Sequence, residues 1–505
     1  MLECLYGWRR WRRQREVRKP SLERRNTYLK MRSTSLDLST GLNFARTHSD
    51  SEEERALKIY GFGNYCQHNR VLLCMVGLPA RGKSYIVRML ERYLRWTGFQ
   101  VQSFNAGNLR RQEGMGGADA SFFTSDDKTA IREKIAGECM EEAFHWLLSQ
   151  SSASIAIFDA TNTTKKRRAT IHRRSREVRG ITPVFIESIC DDPKILSQNY
   201  TMKLENDDYR GKDPETARAD FLARVDAYSK RYETIDDDEF DQSIIYVKIF
   251  NVGRKVVMCR CSGYIMSHIG FYLSNIHINP RRIWLIRHAE TEDGRNGRVG
   301  SGSNKITASG KKFINDLAEY LYKARTNMSE AGDIEGSNMM VLMGTAPVHK
   351  STCDFLMGKR GNRSSRSTSL QTAIRSIRDC TVMSTSLLNE LDGGDCNGMS
   401  HEEMKEQYPE IYEERERDKL NFRYPGSGGE SYCDVIGRLK PVIIELERQR
   451  QSVLVISHLA VQRCIYGYFT GEAMEMIPHI ELPLHSAIEL RPMPHGTKVA
   501  VTELL

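Results

Sequence analysis

Six apolar residues, Val71 to Val76, run straight into Gly77-Leu-Pro-Ala-Arg-Gly82-Lys83-Ser84, and Tyr85 to Leu94 continues with helix-compatible spacing. This strand–loop–helix order constrains the fold more than any other feature. It matches the phosphate-binding spacing G-x-x-x-x-G-K-[ST] and makes the chain an α/β protein. Glycines let the backbone close around an anion, so that several N–H groups and a helix N-terminus face it. Lys83 is placed to reach terminal phosphates and the Ser84 hydroxyl to ligate Mg²⁺. Gly77, Gly82, Lys83 and Ser84 therefore predict a nucleoside triphosphate site.

A second signature lies far downstream. Ile283-Trp-Leu-Ile-Arg287-His288-Ala289-Glu290 is a hydrophobic strand ending in Arg-His-x-Glu, and Val453-Leu-Val-Ile-Ser457-His458 is another buried-type strand ending in His. Two strands that each deliver a histidine at their C-terminal ends suit an open α/β sheet, where ligands bind outside the carboxyl ends. One histidine can attack phosphorus while the other, with Arg287, stabilises the transferring group.

At 505 residues the chain calls for two domains plus tails, and 40% hydrophobic with 28% charged residues is a globular composition. No apolar stretch reaches membrane-spanning length and no signal peptide is visible, so a cytoplasmic location is expected. The twelve cysteines include no C-x-x-C pair and no zinc-ligand spacing, which favours reduced thiols. The net charge of +9 is concentrated in residues 1–30, where ten Lys/Arg face three Glu, leaving the rest near neutral. A nucleic-acid partner is not indicated. Residues 1–69 lack hydrophobic periodicity and read as a disordered tail. Basic strings around Ser21, Thr27 and Ser33 suit basophilic protein kinases, while Trp8 and Trp11 among arginines suit an anionic membrane surface.

From Arg70 to about residue 281 apolar strands alternate with amphipathic stretches, the pattern of a parallel α/β domain. Strands are expected at 154–158, 182–186 and 244–250, then, in a second α/β domain over 282–505, at 283–286, 339–343 and 453–457. Asn279-Pro-Arg-Arg282 reads as the joint, and the Gly/Ser/Arg-rich composition near 352–369 predicts a flexible insertion. Asp159 ends a strand, where a phosphate-loop enzyme puts a metal-organising carboxylate, to hold Mg²⁺ or to accept the acceptor's proton. Arg110, Arg111, Arg132, Lys203 and Arg224 are candidate anion contacts whose convergence spacing alone does not reveal.

Taken together, the strings Met75–Ser84, Phe104–Arg111, Phe158-Asp-Ala-Thr161-Asn-Thr-Thr164, Phe185–Cys190, Phe250–Gly253, Asn389-Glu390 and Glu430-Ser-Tyr432 resemble the bifunctional 6-phosphofructo-2-kinase/fructose-2,6-bisphosphatase family, over about residues 70–495. The resemblance implies a phosphate-loop kinase domain with a mainly parallel sheet, followed by a histidine-phosphatase, phosphoglycerate mutase-like α/β domain. It implies transfer of the γ-phosphoryl of ATP, with Mg²⁺, to the 2-hydroxyl of fructose 6-phosphate. The second domain would hydrolyse fructose 2,6-bisphosphate, a signal between glycolysis and gluconeogenesis. By position, Lys83, Asp159 and Cys190 match kinase active-site residues and Asn199 falls near the nucleotide. Arg110, Arg132, Thr161, Lys203, Arg224 and Tyr228 match the sugar-phosphate site. In the second domain His288 matches the nucleophile, Glu390 the proton donor, and Arg287 and His458 the phosphoryl clamp. Arg298, Gly300, Arg415, Lys419, Tyr432 and Arg463 fall where the family holds phosphates or sugar. A homodimer and regulatory protein kinases are the expected partners.

The chain departs from the family pattern mainly in the second domain. Ala289 replaces a glycine and adds a methyl where backbone usually approaches substrate. Gly294 replaces an asparagine donor, His401 a tyrosine, and Leu459 a glutamine. The stretch that supplies a second clamping arginine reads Thr345-Ala-Pro-Val-His349-Lys350-Ser351, and Lys350 keeps charge without the planar fork. A kinase-dominant bifunctional enzyme is expected; the alternative is a monofunctional kinase whose second domain only binds or regulates.

Overall fold

The computed structural model describes residues 70–115, 128–151, 153–178, 180–204, 209, 213–295, 298, 305–333, 337–359 and 367–505. The basic N-terminal segment, with Trp8, Trp11 and its candidate phosphorylation sites, lies outside them, as does Gly300.

The described residues form two six-stranded sheets. The first uses β1 (Arg70–Val76), β2 (Gln100–Asn105), β3 (Ser154–Asp159), β4 (Ile181–Ile189), β5 (Tyr246–Phe250) and β6 (Lys255–Cys259), in the order β2-β3-β1-β4-β5-β6. All neighbours are parallel except β5 and β6. The central strands β1 and β3 are buried almost end to end. That accounts for their unbroken apolar runs, because a parallel sheet is covered on both faces. Helix α1 (Lys83–Trp96) follows the glycine loop and buries Ile86, Val87, Leu90, Tyr93 and Leu94 on one stripe. Helices α2 (Thr129–Ser149), α3 (Lys165–Glu177), α4 (Pro193–Leu204), α5 (Pro214–Ser229) and α6 (Tyr264–Leu273) complete this half.

The second sheet has the order β12-β11-β7-β10-β8-β9. Its strands are β7 (Ile283–Arg287), β8 (Met339–Gly344), β9 (Thr381–Thr385), β10 (Ser452–Ser457), β11 (Ser486–Met493) and β12 (Gly496–Glu503). β7, β10, β8 and β9 run parallel, and the β11–β12 hairpin adds an antiparallel edge. Helices α7 (Ala308–Glu330), α8 (Pro347–Leu356), α9 (Thr368–Arg378), α10 (Tyr432–Arg448) and α11 (Leu459–Thr470) pack on it. Of the segment near 352–369, residues 352–359 and 367–369 are described. Thr352 to Leu356 belong to α8, with Thr352, Cys353 and Leu356 buried, and the Ser367 hydroxyl caps α9 by accepting from Leu370 N at 3.2 Å. Residues 360–366, which hold three of its four basic residues, lie outside the described residues.

The two sheets share one apolar core. A single cluster contains Leu73, Val87, Tyr93 and Trp96 from the first half and Leu285, Val455, Cys464 and Tyr468 from the second. Tyr93 stacks on Tyr272 at 4.2 Å, and the Trp96 indole donates to the Cys464 carbonyl at 3.0 Å. At the same seam Glu447, 1% exposed, pairs with Arg92 and with Arg281 (2.7 Å) and accepts from the Tyr468 hydroxyl at 2.7 Å. A buried carboxylate keeps its charge only with such partners. Residues 279–282 are therefore not an open linker: Arg281 is buried and also donates to Leu446 O at 3.1 Å.

Candidate active sites

β1 and β3 are neighbours, with Cys74 beside Phe158, so the loop after one and the acid ending the other open at the same sheet edge. Gly77 has φ of 135° and passes so close to β4 that an added Cβ would lie 2.6 Å from the Ser188 carbonyl oxygen. Only glycine fits there. Lys83 Nζ donates to the loop's own carbonyls, Gly77 O at 2.9 Å and Leu78 O at 2.7 Å. Burial pulls its pKa down to about 7 against the attraction of Asp159, and Lys203, Arg224 and Arg81 lower it further. Ser84 Oγ donates to Asp159 Oδ2 at 3.1 Å, and Asn105 Nδ2 donates to the same oxygen at 2.6 Å. A hydroxyl and a carboxylate side by side are hard oxygen ligands, and they fit Mg²⁺.

Lys83, Ser84, Asn105 and Asp159 line a cavity of about 860 Å³. Arg110, Arg132, Thr161, Asn199, Lys203, Arg224 and Tyr228 all line it too, so the scattered cations do converge, and Arg111 joins them. Lys203 has its pKa lowered by burial first, opposed by Asp159 and reinforced by Arg224, Arg88 and Arg111. Cations crowded this way call for an anionic guest. Asn199 Nδ2 donates to Ala80 O of the glycine loop at 3.0 Å. Cys190 is not in the lining: it is buried just past the end of β4, and burial raises its pKa. A thiol held protonated and away from the cavity packs as a small apolar side chain.

Several groups in this cavity escaped sequence reasoning, Arg88 and a turn of the second sheet among them. Arg88 sits one helical turn after Ser84 on α1, so the i,i+4 spacing held the signal. Pro494 and His495 come from the turn between β11 and β12, and Arg88 donates to the Pro494 carbonyl. No local pattern could have placed a hairpin of the second sheet at the mouth of the first site.

The second site forms where three adjacent strands end. β10 lies between β7 and β8, with Ser457 level with Arg287 and Ile456 level with Met343. The residue after β7 is His288, the one after β10 is His458, and the helix after β8 brings His349. The His458 ring centroid is 4.4 Å from His288 and 4.5 Å from His349, while His288 and His349 are 5.9 Å apart. His288 Nδ1 lies 2.9 Å from Ala289 O. A carbonyl can only accept, so Nδ1 carries the proton and Nε2 keeps its lone pair. Burial and the neighbouring His458 push the His288 pKa down to about 3. Glu390 Oε2 is 3.3 Å from His458 Nδ1. Burial would raise the Glu390 pKa, but His458 and the Leu391 N–H outweigh it and hold the carboxyl below its usual range.

Around this core, Arg463 donates to the Tyr432 hydroxyl at 3.0 Å, and Glu390 acts electrostatically on Arg287, Tyr424 and Tyr432. Arg415 donates to Tyr424 at 2.7 Å, Lys419 pairs with Glu416 at 3.0 Å, and both act on His401. Arg298 is farther out, on Gly398 O (2.6 Å) and Glu403 (3.3 Å).

Two expectations about the departures need correction. The Ala289 methyl does not face substrate: the residue is fully buried in the core beneath the sheet, its N–H bonded to Thr352 Oγ1 at 3.0 Å. Lys350 does not stand in for a clamping arginine, because it lies on the exposed side of α8. His349 holds the inward position, 0% exposed, and among the described residues neither ring nitrogen makes a well-aligned hydrogen bond, with only the Gly344 backbone acting on the ring. Burial, His458 and His288 drive its pKa down to about 2. Gly294 donates its N–H to Thr291 Oγ1 at 3.1 Å, and Leu459 begins α11 against the shared core.

Two α/β sheets that each open a cationic, phosphate-suited site at their strand ends define a chain built for phosphoryl transfer twice over. Residues 60–280 match the family described as 6-phosphofructo-2-kinase, and residues 364–503 match the histidine phosphatase superfamily, branch 1. A 6-phosphofructo-2-kinase/fructose-2,6-bisphosphatase of Aquarana catesbeiana is 38% identical over 85% of this chain and 83% of its own length. Enzyme 4 of that name from Homo sapiens is 38% identical over 85% and 84%. A 6-phosphofructo-2-kinase 1 of Saccharomyces cerevisiae is 36% identical over 92% of this chain, which spans 54% of that protein. Among solved structures, the alpha-ribazole phosphatase of Shigella flexneri covers 44% of this chain and 96% of its own, at 19% identity and a TM-score of 0.34. The chain belongs to the 6-phosphofructo-2-kinase/fructose-2,6-bisphosphatase family.

Proposed function

We propose that residues 70–281 transfer the γ-phosphoryl of ATP to the 2-hydroxyl of fructose 6-phosphate, and that residues 282–505 remove that 2-phosphate through a phosphohistidine, with reduced power. The observation that carries the first activity is a cavity lined by both the phosphate loop and converging cations. Arg110, Arg132, Lys203 and Arg224 neutralise the sugar phosphate, and Tyr228 and Thr161 offer hydroxyls to the sugar. Lys83 exchanges two loop carbonyls for phosphate oxygens. Ser84 and Asp159 would hold Mg²⁺, which supplies charge neutralisation on the phosphates. Catalysis is then positioning plus electrostatics.

In the second site His288 Nε2 attacks phosphorus and the bond to the sugar oxygen breaks. That oxygen takes its proton from Glu390 of the His458–Glu390 pair, whose carboxyl the arriving phosphoryl dianion favours in its protonated form. Water then attacks the phosphohistidine, returning a proton to the pair and freeing His288. Arg287 and Arg463 supply the remaining fixed charge.

Fructose 2,6-bisphosphate labelled at the 2-phosphate tests the second activity. Transient label on His288 and released phosphate are expected. Absence of both would leave a chain that only synthesises. The first activity is tested by formation of the bisphosphate from ATP and fructose 6-phosphate, and its absence at saturating substrate would sink the kinase assignment.

A further inference from the structure

His349 has no part in the mechanism above, yet its environment is not that of a structural histidine. The ring is 0% exposed, lies 4.5 Å from His458 and 5.9 Å from His288, and neither nitrogen makes a well-aligned hydrogen bond among the described residues, the Gly344 backbone alone acting on it. A buried polar group normally finds a partner, and one left without marks a place where a partner arrives. The backbone has also made room for it. An added Cβ at Gly344 would stand 2.2 Å from His349 Nδ1, so only glycine at the end of β8 lets the ring lie where it does.

We propose that His349 is a third imidazole of the phosphatase centre: it meets the transferring phosphoryl group and takes up a solvent proton as that group arrives, which places hydrolysis under pH control. This rests on the phosphatase reading of the site. The titratable groups that act on it are His458 from the end of β10 and His288 from the end of β7. On its own helix, Lys350 and Asp354 point away from the site. Without a ligand, His349 next to two other imidazoles stays neutral, and its pKa of about 2 agrees. A phosphoryl dianion reverses that balance, since an opposite charge in contact favours the protonated ring. The proton remains through phosphohistidine formation and hydrolysis and leaves with the phosphate. A chain with a fixed cation here would hydrolyse at any pH near neutral, whereas this one does so as pH falls.

The test is the pH profile of phosphate release from fructose 2,6-bisphosphate for the full chain, His349→Gln and His349→Arg, with kinase activity of each sample reporting that it is folded. The unaltered chain should gain about tenfold in kcat/KM per pH unit along the limb from pH 8 towards 6. His349→Gln should lose that gain and be about 10²-fold slower at pH 6, while His349→Arg should be fast at pH 8 and nearly flat. Glu390 is common to all three, so the difference between profiles isolates His349. If His349→Gln and the unaltered chain superimpose in rate and profile, His349 does not meet the phosphoryl group and the proposal fails alone. If neither the unaltered chain nor His349→Arg releases phosphate or labels His288 at any pH, the phosphatase reading fails and takes the proposal with it.

Discussion

Lys83 rests on the carbonyls of Gly77 and Leu78, buried, with its pKa drawn to about 7. It is a charge waiting for a better partner, and phosphate is that partner. Lys83→Met should therefore reduce synthesis of fructose 2,6-bisphosphate by about 10²-fold or more while leaving release of labelled 2-phosphate unchanged. His288→Ala should do the reverse, and paired rate measurements on each variant check both. At this scale much was legible: the glycine loop, Asp159, His288 and His458 stand in strings whose spacing carries their chemistry. His349 and Lys350 show where legibility stopped. Matching one cation to another favoured Lys350, but α8 buries Val348, His349, Thr352, Cys353 and Leu356 on one side. The helical period sends Lys350, one turn before Asp354, outward, and charge matching alone ignores the period.

Helix α1 joins the two halves of the molecule. Its first turn belongs to the phosphate loop, and its last inserts Arg92 and Trp96 against α10 and α11 of the second half. Trp96→Ala should cost about 3–5 kcal/mol by denaturant unfolding, because the cavity it leaves is walled by the shared core. Glu447→Gln should cost a similar amount, about 3–5 kcal/mol, since it strands Arg92 and Arg281 in a seam without their counter-charge. Both variants should lower synthesis and hydrolysis in parallel, and loss of only one activity would contradict a common core. The strands themselves were readable, because fully covered parallel strands are continuous apolar runs. Their pairing across the seam was not, since an Arg on one helix and a Glu far along the chain leave no local pattern. The same holds for the turn that brings Pro494 and His495 to the first cavity.

On the scale of the whole molecule, buried neutral imidazoles set the response to acid. His349 has a folded pKa of about 2 and His277 of about 4, both lowered chiefly by burial. Each lies below the unfolded value near 6.5. The unfolded chain therefore binds the extra proton, so their contribution is intact above pH 6.5 and drains away as pH falls toward the folded values. For His349 alone the loss is about 1.4 kcal/mol per pH unit below 6.5. Thermal unfolding should show Tm falling between pH 6.5 and 5, and the fall should be shallower in His349→Gln. The chain cut at residue 281 should likewise fail to give two soluble proteins, because each piece exposes its share of one apolar cluster; a folded, active 70–281 fragment would refute this.

The seam built by Trp96, Tyr93, Arg92 and Glu447 also bears on descent. A lineage that ceased to need hydrolysis could let its histidines drift, but discarding the sheet that carries them would unseat the synthetic half. Inheritance of the second half is then secured by architecture, and its chemistry is free to be retuned.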